Sequence, residues 1–382
     1  MKIKYLSIIA LSLALFAISC KKDKTTGPSH KDLISGPVDV YAAGWVGGGT
    51  NSPPTVAAYW KNGTLTVLGD TTTYGNNFGS IARGIAVIGN DVYVSGVVYT
   101  TNYGYAVLWK NGVPIKLSPD SNASEATRIA VNGSDVYVLG YIHDVVSQDN
   151  TGIRYSENPV YWKNGVPNTI ANAIAFNSIF SNGNDVYIGG GVKSSYVYSS
   201  GVNAGAHGAK AAYWKNNDPL DSLNSVQSSS PYNSSQITAI TANSTGVYAA
   251  GTSESYPLEY WTNDLPSELS GGAPNSLPTG IAANGSDVYI SGIIYSGGYN
   301  HAVYWKNNQQ TILQTDLADA QSGSAANDIA LYGTDLYIAG EAHLNTGNSL
   351  ESAYLWKNGV YTKLTAGSRG GAALCLTIAP KP

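Results

Sequence analysis

Residues 80–118 read SIARGIAVIGNDVYVSGVVYTTNYGYAVLWKNGVPIKLS and contain four short runs rich in Val, Ile, Tyr or Trp. Such runs favour β-strands, and residues Gly89-Asn90 and Asn111-Gly112 separate the first pair and the last pair. An Asn-Gly pair between apolar runs favours a tight hairpin turn in which both residues have φ > 0. The segment therefore predicts a four-stranded antiparallel meander. Its predicted strands are Ala82–Ile88, Asp91–Val97, Ala106–Lys110 and Val113–Leu117.

Two patterns from this segment occur seven times along the chain, in strict alternation. The Asp-Val-Tyr-like element starts at Asp39, Asp91, Asp135, Asp185, Gly246, Asp287 and Asp335. The Trp-Lys-Asn-Gly-like element places its aromatic residue at Trp60, Trp109, Trp162, Trp214, Trp261, Trp305 and Trp356. Repeats of about 40–60 residues with four strands each are typical of β-propellers, one blade per repeat. The sequence predicts an all-β, seven-bladed β-propeller with four antiparallel strands per blade.

The two ends of the repeat region complement each other. The first repeat begins at Val38 with a second strand and has no first strand before it. A strand-like segment, Gly371–Ala379, is left over after the last repeat, and it aligns with the first strand of the second blade so that Leu376 corresponds to Ile85. We therefore expect the C-terminal strand to complete the first blade and close the ring, because closure leaves no open seam.

The N-terminal residues differ from the repeats. Lys2 and Lys4 precede the apolar run Tyr5–Phe16, which is shorter than the ~20 residues of a membrane-spanning helix, so residues 1–19 are predicted to be an export signal. Small residues directly before Cys20 resemble the bacterial lipobox. That resemblance implies cleavage before Cys20 and a lipid on it; an ordinary secretory signal with an incidental Cys is the alternative. Residues 20–35 are polar and predict a flexible tether to a propeller domain at 36–382.

Two further resemblances concern export. Residues 21–24, KKDK, resemble the charged tether of Bacteroidetes-type outer-membrane lipoproteins. The repeat A-x-x-W-K-N-G, followed by an apolar strand, a variable stretch and I-A-x-x-G, resembles bacterial extracellular repeats of the HAF type over nearly all of residues 37–379. The likeness implies propeller architecture and an exported protein anchored in the outer membrane, periplasmic or surface-exposed, and it supplies no site residues.

Composition narrows the classes of partner. Only 12% of residues are charged and the net charge is −4, so no basic surface for nucleic acid is predicted. With Cys20 assigned to lipid, Cys375 has no disulfide partner, and its place in a predicted strand favours a buried, inert thiol. We expect a monomer whose membrane contact is the lipid anchor at Cys20, without a cofactor.

The repeated residues are expected to serve structure. Trp109 shares a strand face with Val107, and adjacent blades cover both faces of every blade, so the repeated Trp is expected to pack between blades. The repeated Asp, as in Asp135, follows a turn and is explained better by turn hydrogen bonds than by a metal. The Lys after each Trp is expected to be a solvated strand end, or alternatively part of a ring of charge on one face.

The variable residues indicate a binding surface. The connections after the second and fourth strands of each blade lie on one side of the ring, which we call the long-loop face, and they are longer and more variable than the turns on the opposite side. Tyr and Trp among Ser, Gly and Asn suit contact with a glycan or a protein loop, although strand-end and loop packing is the alternative. The candidate ligand-binding residues are Trp45, Tyr99, Tyr103, Tyr141, His143, Tyr196, Tyr295, Tyr299, His301 and His343.

A second candidate site is the mouth of the central channel, where the innermost strands begin. Arginines near an axial opening would suit an anionic group. The candidate channel-mouth residues are Arg83, Arg128, Asp328 and Arg369.

Catalytic patterns are absent from the sequence. H-E-x-x-H, G-x-S-x-G, a phosphate-binding loop, an EF-hand loop and the sialidase Asp-box do not occur, and the histidines lie singly in different blades, so neither catalytic nor metal-binding residues are predicted. The sequence favours a non-catalytic, cell-envelope binding scaffold. The alternatives are a propeller hydrolase or lyase that acts on polysaccharide through axial acidic or His residues, and a structural or adhesion scaffold.

Overall fold

The computed structural model describes residues 37–47, 55–68, 79–100, 103–119, 123–149, 152–197, 207–219, 222–224, 234–253, 258–271, 275–317, 322–344, 351–365 and 370–381. Within these ranges all the regular elements are strands, which form seven four-stranded antiparallel sheets. The predicted signal, Cys20, the tether and Arg369 lie outside the described residues. None of the described residues forms a helix with the length and apolar character needed to cross a membrane.

The strands follow one another in each blade from the channel outward, except in the first blade. In chain order they are β1 Val38–Val46, β2 Val56–Lys61, β3 Thr64–Val67, β4 Ser80–Ile88, β5 Asp91–Tyr99, β6 Gly104–Lys110, β7 Val113–Lys116, β8 Ala123–Asn132, β9 Asp135–Asp149, β10 Gly152–Lys163, β11 Val166–Asn168, β12 Ala173–Ser181, β13 Val186–Val197, β14 His207–Lys215, β15 Asp218–Pro219, β16 Ser235–Asn243, β17 Gly246–Ser253, β18 Glu259–Thr262, β19 Leu265–Glu268, β20 Leu277–Asn284, β21 Asp287–Ser296, β22 Tyr299–Lys306, β23 Gln309–Ile312, β24 Ser322–Tyr332, β25 Asp335–Leu344, β26 Ser352–Lys357, β27 Val360–Lys363 and β28 Gly371–Pro380.

The C-terminal strand closes the ring. The first blade has the order β28-β1-β2-β3, and β28 pairs antiparallel with β1 from Val38–Pro380 to Val46–Gly371. Leu376 lies opposite Ala42 just as Ile85 lies opposite Val94, so the predicted alignment is confirmed. Closure gives the inner edge strand β1 a partner that it would otherwise lack.

The repeated Trp side chains are the centres of the interfaces between blades. All seven are 0–1% exposed. Trp109 and Val107 pack in one cluster with Tyr41 and Cys375 of the first blade, whereas Leu108 packs in another cluster with residues of the third blade. The predicted packing role is therefore confirmed, and burial of each ring contributes a few kcal/mol, on the order of 3.

The repeated Lys is a partly exposed strand end, as expected, and it also has a specific partner. In the third blade, Lys163 Nζ lies 2.7 Å from Asp135 Oδ2 and 5.2 Å from the ring centroid of Tyr137. Hydrogen bonds from the side chains of Lys163 and Asn164 lower the pKa of the Asp135 carboxyl. The same pairing occurs in six blades, at Asp39–Lys61, Asp91–Lys110, Asp135–Lys163, Asp185–Lys215, Asp287–Lys306 and Asp335–Lys357.

Two of the insertions on the long-loop face are hairpin extensions and not loops. In the third blade, β9 and β10 remain paired from Tyr137–Lys163 out to Asp149–Gly152. In the sixth blade, β21 and β22 are joined by a tight turn at Gly297 and Gly298, both with positive φ. These extensions bring predicted site residues such as Tyr295 onto strands above the ring.

Candidate functional site at the channel mouth

Every innermost strand contains a one-residue β-bulge at the same place. In the second blade, for example, Ala82 pairs with Gly96 and Gly84 pairs with the adjacent Ser95 of β5. Arg83, between them, has no partner residue in β5. The bulged residues, which we call the bulge ring, are Arg83, Thr127, Asn177, Thr238, Thr279, Asn327 and Leu374. Bulges redirect side chains and are frequent beside functional sites.

A glycine in the neighbouring strand permits each bulge. A Cβ atom on Gly140 would lie 1.9 Å from the carbonyl oxygen of Glu125, and a Cβ atom on Gly340 would lie 2.0 Å from that of Ala325. No side chain tolerates such a distance from a backbone oxygen. The Gly of the repeated D-V-Y-x-x-G pattern therefore has the steric role of admitting the bulged strand.

The bulge ring lines one cavity. A pocket of about 360 Å³, which we call the mouth pocket, is lined by all seven bulged residues together with Arg128, Tyr141, Phe176, Leu277 and Pro278. The bulges lie in the first half of the innermost strands, so the mouth pocket is at the long-loop end of the channel. A second cavity of about 520 Å³ lies farther along the same strands, beyond the bulges.

Hydrogen bonds from the bulge ring join successive blades. Four of its side chains donate to the carbonyl just before the bulge of the next blade. The bonds are Asn177 Nδ2 to Ile237 O (2.9 Å), Thr238 Oγ1 to Pro278 O (2.7 Å), Thr279 Oγ1 to Ala326 O (2.6 Å) and Asn327 Nδ2 to Ala373 O (3.0 Å). This bonding orients the polar side chains and makes the rim of the pocket rigid.

Two arginines provide positive charge at the pocket. Arg83 Nη2 lies 3.6 Å from Glu125 Oε2, and both side chains are about one-third exposed. Arg83 Nε is buried and has no hydrogen-bond partner among the described residues. Arg128 donates from Nη1 to the carbonyl of Thr127 at 3.0 Å. Since a guanidinium has five N–H donors, most of this donor capacity is available to a ligand.

One carboxyl beside the rim is partly protonated at neutral pH. Burial and the neighbouring Glu351 carboxylate raise the pKa of Glu341 to about 7, against the effect of a hydrogen bond with the Asn327 side chain. A pKa near neutrality is the property expected of a carboxyl that acts as a general acid. Glu341 directly follows Gly340, as Tyr141 follows Gly140 and Trp45 follows Gly44, so the three residues have equivalent places in their blades.

Arg83 and Arg128, two of the predicted channel-mouth residues, line the mouth pocket. Asp328 lines the deeper cavity, and Arg128 lines that cavity as well. Burial raises the pKa of Asp328, although its oxygens accept the backbone N–H groups of Ile329 and Leu376 at 2.9 and 2.8 Å. The Cys375 thiol is buried and burial raises its pKa, which agrees with the predicted inert role.

The predicted ring-bearing residues of the long-loop face do not converge on one point. Tyr141 lines the mouth pocket, and its hydroxyl lies 3.4 Å from Asn177 Oδ1. Trp45 is half-buried. Tyr295 is 40% exposed, and Nε2 of His301 lies 3.1 Å from the carbonyl of Ser296 in the same hairpin as Tyr299.

The other predicted residues lie in or beside the second and third strands of their blades. Tyr99 ends β5, and the carbonyl of Tyr103 accepts the Thr100 N–H at 2.8 Å. His143 and His343 are opposite Ala123 and Gly323 of their innermost strands. Tyr196 is in β13, and its side chain is outside the described set. No three His, Cys, Asp or Glu residues within the described ranges form a cluster suited to a metal ion.

Sequence reasoning missed most of the bulge ring. Thr127, Asn177, Thr238 and Thr279 were not candidates, although each lies two residues before the Ile that begins the second half of an innermost strand. Six of the seven residues at this repeat position are polar. That regularity was visible in the sequence, but the register shift that brings these residues together was not.

Among the comparisons with known proteins, one solved structure supports the fold. The chain matches no protein-family model and no curated protein. It is similar to the structure of a puromycin-hydrolyzing peptidase from Mycobacterium tuberculosis, with a TM-score of 0.51 and 11% identity over 85% of this chain and 51% of the peptidase. This chain therefore spans about half the length of that peptidase. The chain also aligns with an exo-1,5-alpha-L-arabinanase from a bovine ruminal metagenomic library, with a TM-score of 0.32 and 8% identity over 73% of this chain and 95% of the arabinanase. A third alignment, with RS223 beta-xylosidase, has a TM-score of 0.29 and 10% identity over 77% of this chain and 94% of the xylosidase.

Proposed function

We propose that this protein is a non-catalytic binding scaffold of the cell envelope, exported and anchored to the outer membrane by a lipid at Cys20, and that its long-loop face binds a glycan. The observation that supports binding at this face is the mouth pocket, whose polar rim is held in place by hydrogen bonds between blades. A rim that is already ordered loses little entropy when a ligand binds.

Ring-bearing side chains extend the binding surface beyond the pocket. Trp45 and Tyr141 occupy equivalent places in their blades, and Tyr295 lies on a hairpin of the same face. Aromatic rings stack on the apolar faces of sugar rings, while the Thr and Asn side chains of the rim bond hydroxyl groups. A polar ligand with flat apolar faces fits this combination, and a protein loop is the other ligand that the long-loop face suits.

A glycan array with the purified protein tests the proposal, and two tyrosines provide a matched control. Tyr295 on the long-loop face is 40% exposed, and Tyr332, at the end of β24 on the opposite face, is 41% exposed. Tyr295→Ala and Trp45→Ala should weaken glycan binding, and Tyr332→Ala should leave it unchanged. Equal effects of Tyr295→Ala and Tyr332→Ala, or no glycan bound at all, would contradict the proposal.

Glu341 supports a second candidate, hydrolysis or lysis of a polysaccharide. Its carboxyl is next to Glu351 and has a pKa of about 7, so it is able to donate a proton at neutral pH. Incubation of the protein with a panel of polysaccharides tests this candidate by release of reducing or unsaturated ends. Product formation that Glu341→Gln abolishes would replace the non-catalytic proposal.

A further inference from the structure

The hydrogen-bonding capacity of the mouth pocket restricts the chemistry of its ligand. Both amide hydrogens of Asn177 are used, because Nδ2 donates to Gln236 Oε1 at 3.1 Å and to Ile237 O at 2.9 Å. The hydroxyl of Thr238 donates to Pro278 O, and the amide of Asn327 donates to Ala373 O. The oxygens of these three side chains keep lone pairs that accept further bonds. This part of the rim therefore offers acceptors and suits a ligand rich in hydroxyl donors.

The unused donors of the pocket are concentrated in two neighbouring blades, the second and the third, on two arginines. Arg83 Nε is buried without a partner among the described residues, and Arg128 makes one guanidinium bond, to Thr127 O. Glu125 Oε2 lies 3.6 Å from Arg83 Nη2, which is longer than a close ion pair. Arg128 also lines the deeper cavity with Asp328, whose raised pKa favours the uncharged carboxyl. Arg128 belongs to the next blade and lines the same pocket. The two guanidinium groups can therefore bond one anionic group from the ligand.

We infer that the mouth pocket binds an acidic sugar, with the carboxylate of a uronic acid residue bonded by Arg83 and Arg128 and the ring hydroxyls bonded by the Thr and Asn oxygens of the rim. This inference rests on the proposed function and names its ligand class. A pocket of about 360 Å³ bounded by Tyr141 also favours a compact ring over an extended peptide. The partly protonated carboxyl of Glu341 repels such an anion less than a fully ionised one does.

Titration with an oligogalacturonate and with its methyl ester tests the inference. The two compounds share a carbohydrate skeleton and differ in the charge of the carboxyl groups. Calorimetry with the purified protein should show binding of the free acid at least about tenfold tighter than binding of the ester. The difference should decrease as the salt concentration rises, because salt screens charge pairs.

Substitutions of single residues test whether Arg83 and Arg128 bind the carboxylate. Arg128→Gln and Arg83→Gln should each remove most of the preference for the acid over the ester. Lys210→Gln removes the same charge from an exposed residue of β14, two strands out from the channel, and should leave the preference unchanged. Arg83→Lys keeps the charge with fewer donors and should have an intermediate effect. Circular dichroism and the melting temperature of each variant verify that the fold is intact.

The outcomes separate this inference from the proposed function. Equal binding of acid and ester, or a preference for the acid that survives Arg128→Gln, overturns the acidic-sugar site while glycan binding at the long-loop face stands. Binding of an acidic peptide but of no saccharide, dependent on Arg128, overturns the glycan class and keeps the anion site. Absence of binding to any saccharide or peptide overturns both.

Discussion

The side-chain oxygen of Asn164 accepts the backbone N–H of Val136 at 2.8 Å. The same bond joins the turn after the third strand to the start of the second strand in all seven blades. Asn164 also donates from Nδ2 to Asp135 at 2.8 Å and has a φ of 52°. Asn164 thus gives the backbone N–H at the start of the second strand a partner and orients the Asp135 carboxylate for its ion pair. It is also a residue type that adopts the left-handed backbone conformation of this turn.

This geometry predicts unequal effects of two adjacent substitutions. Asn164→Ala removes two hydrogen bonds and places Ala at positive φ, so it should lower the free energy of unfolding by about 2 kcal/mol. Lys163→Gln removes an exposed ion pair and should cost clearly less. Urea denaturation of both variants compares them. A larger loss from Lys163→Gln would show that the ion pair, and not the Asn bond, holds the strand ends together.

The interface between blades predicts a large effect of core truncation. Trp109 is 1% exposed and packs against the first blade, so Trp109→Ala should cost roughly 3–5 kcal/mol and should not change glycan affinity while the protein remains folded. Trp45→Ala removes a half-buried ring and should cost less stability but more affinity. Denaturation measures the stability of the two variants, and calorimetry measures their glycan affinity. If Trp109→Ala leaves the stability unchanged, the interface role of the repeated Trp is wrong.

The raised pKa of Glu341 predicts a pH dependence of stability. The unfolded chain has the ordinary pKa of 4.5 and the folded protein has about 7, so the folded state binds more protons between these values. Protonation of Glu341 therefore adds to the free energy of unfolding. This contribution is complete below pH 4.5, amounts to up to about 3 kcal/mol, and is lost as pH rises through 7. Glu341→Gln should remove this loss.

Denaturation midpoints of the wild type and Glu341→Gln between pH 5 and 8 measure the effect as a difference. Subtraction cancels the contributions of the histidines. The paired Asp residues of the strand ends titrate below this range, because their pKa values are lowered. A difference between the two proteins that stays constant over this pH range would show that Glu341 is not protonated in the folded state.

The bonds of the bulge ring predict a role in joining blades. Thr238→Val removes the hydroxyl that donates to Pro278 O of the next blade, and it should cost about 1 kcal/mol or more because the carbonyl is left without its partner. Thr127→Val is the control, since Thr127 Oγ1 donates at 3.3 Å to Leu139 of its own blade. A comparable loss of unfolding free energy in both variants would show that the hydrogen bond between blades contributes no more to stability than a bond within one blade.

The architecture was predictable because it repeats. Seven copies of two patterns define seven blades, and the period of two along a strand places Trp109 and Val107 on one face. The partners of the repeated Lys also follow from register, since the pairing of β10 with β9 puts Lys163 opposite Tyr137.

The site was only partly predictable because it depends on departures from regular pairing. Arg83 and Arg128 were found as charges near an axial opening, but the bulge that directs Arg83 requires the close approach of β4 to Gly96. The depth of Asp328 depends on the bond that its carboxylate accepts from the Leu376 N–H of β28, which is a tertiary contact. The extension of β9 and β10 as a hairpin depends on cross-strand pairs that a variable stretch does not reveal.

Ring closure predicts the outcome of a C-terminal truncation. Removal of residues 371–382 deprives β1 of its partner from Val38 to Val46 and takes Cys375 and Ala379 out of the core that contains Trp109. The exposed edge of β1 would be open to pairing with another chain. We expect loss of the cooperative unfolding transition, or association of the truncated chain, by calorimetry and size-exclusion chromatography.

Two controls make this truncation decisive. Removal of residues 381–382 alone takes away the bond from the Lys381 N–H to Pro37 O and the Lys381 charge near Asp39, and it should leave the transition in place. A peptide of residues 370–382 added to the truncated chain should restore the transition, because strand addition at an edge uses the same backbone bonds as the native pairing. A truncated chain that stays monomeric and unfolds like the intact protein would mean that the first blade is stable without β28 and that ring closure contributes little.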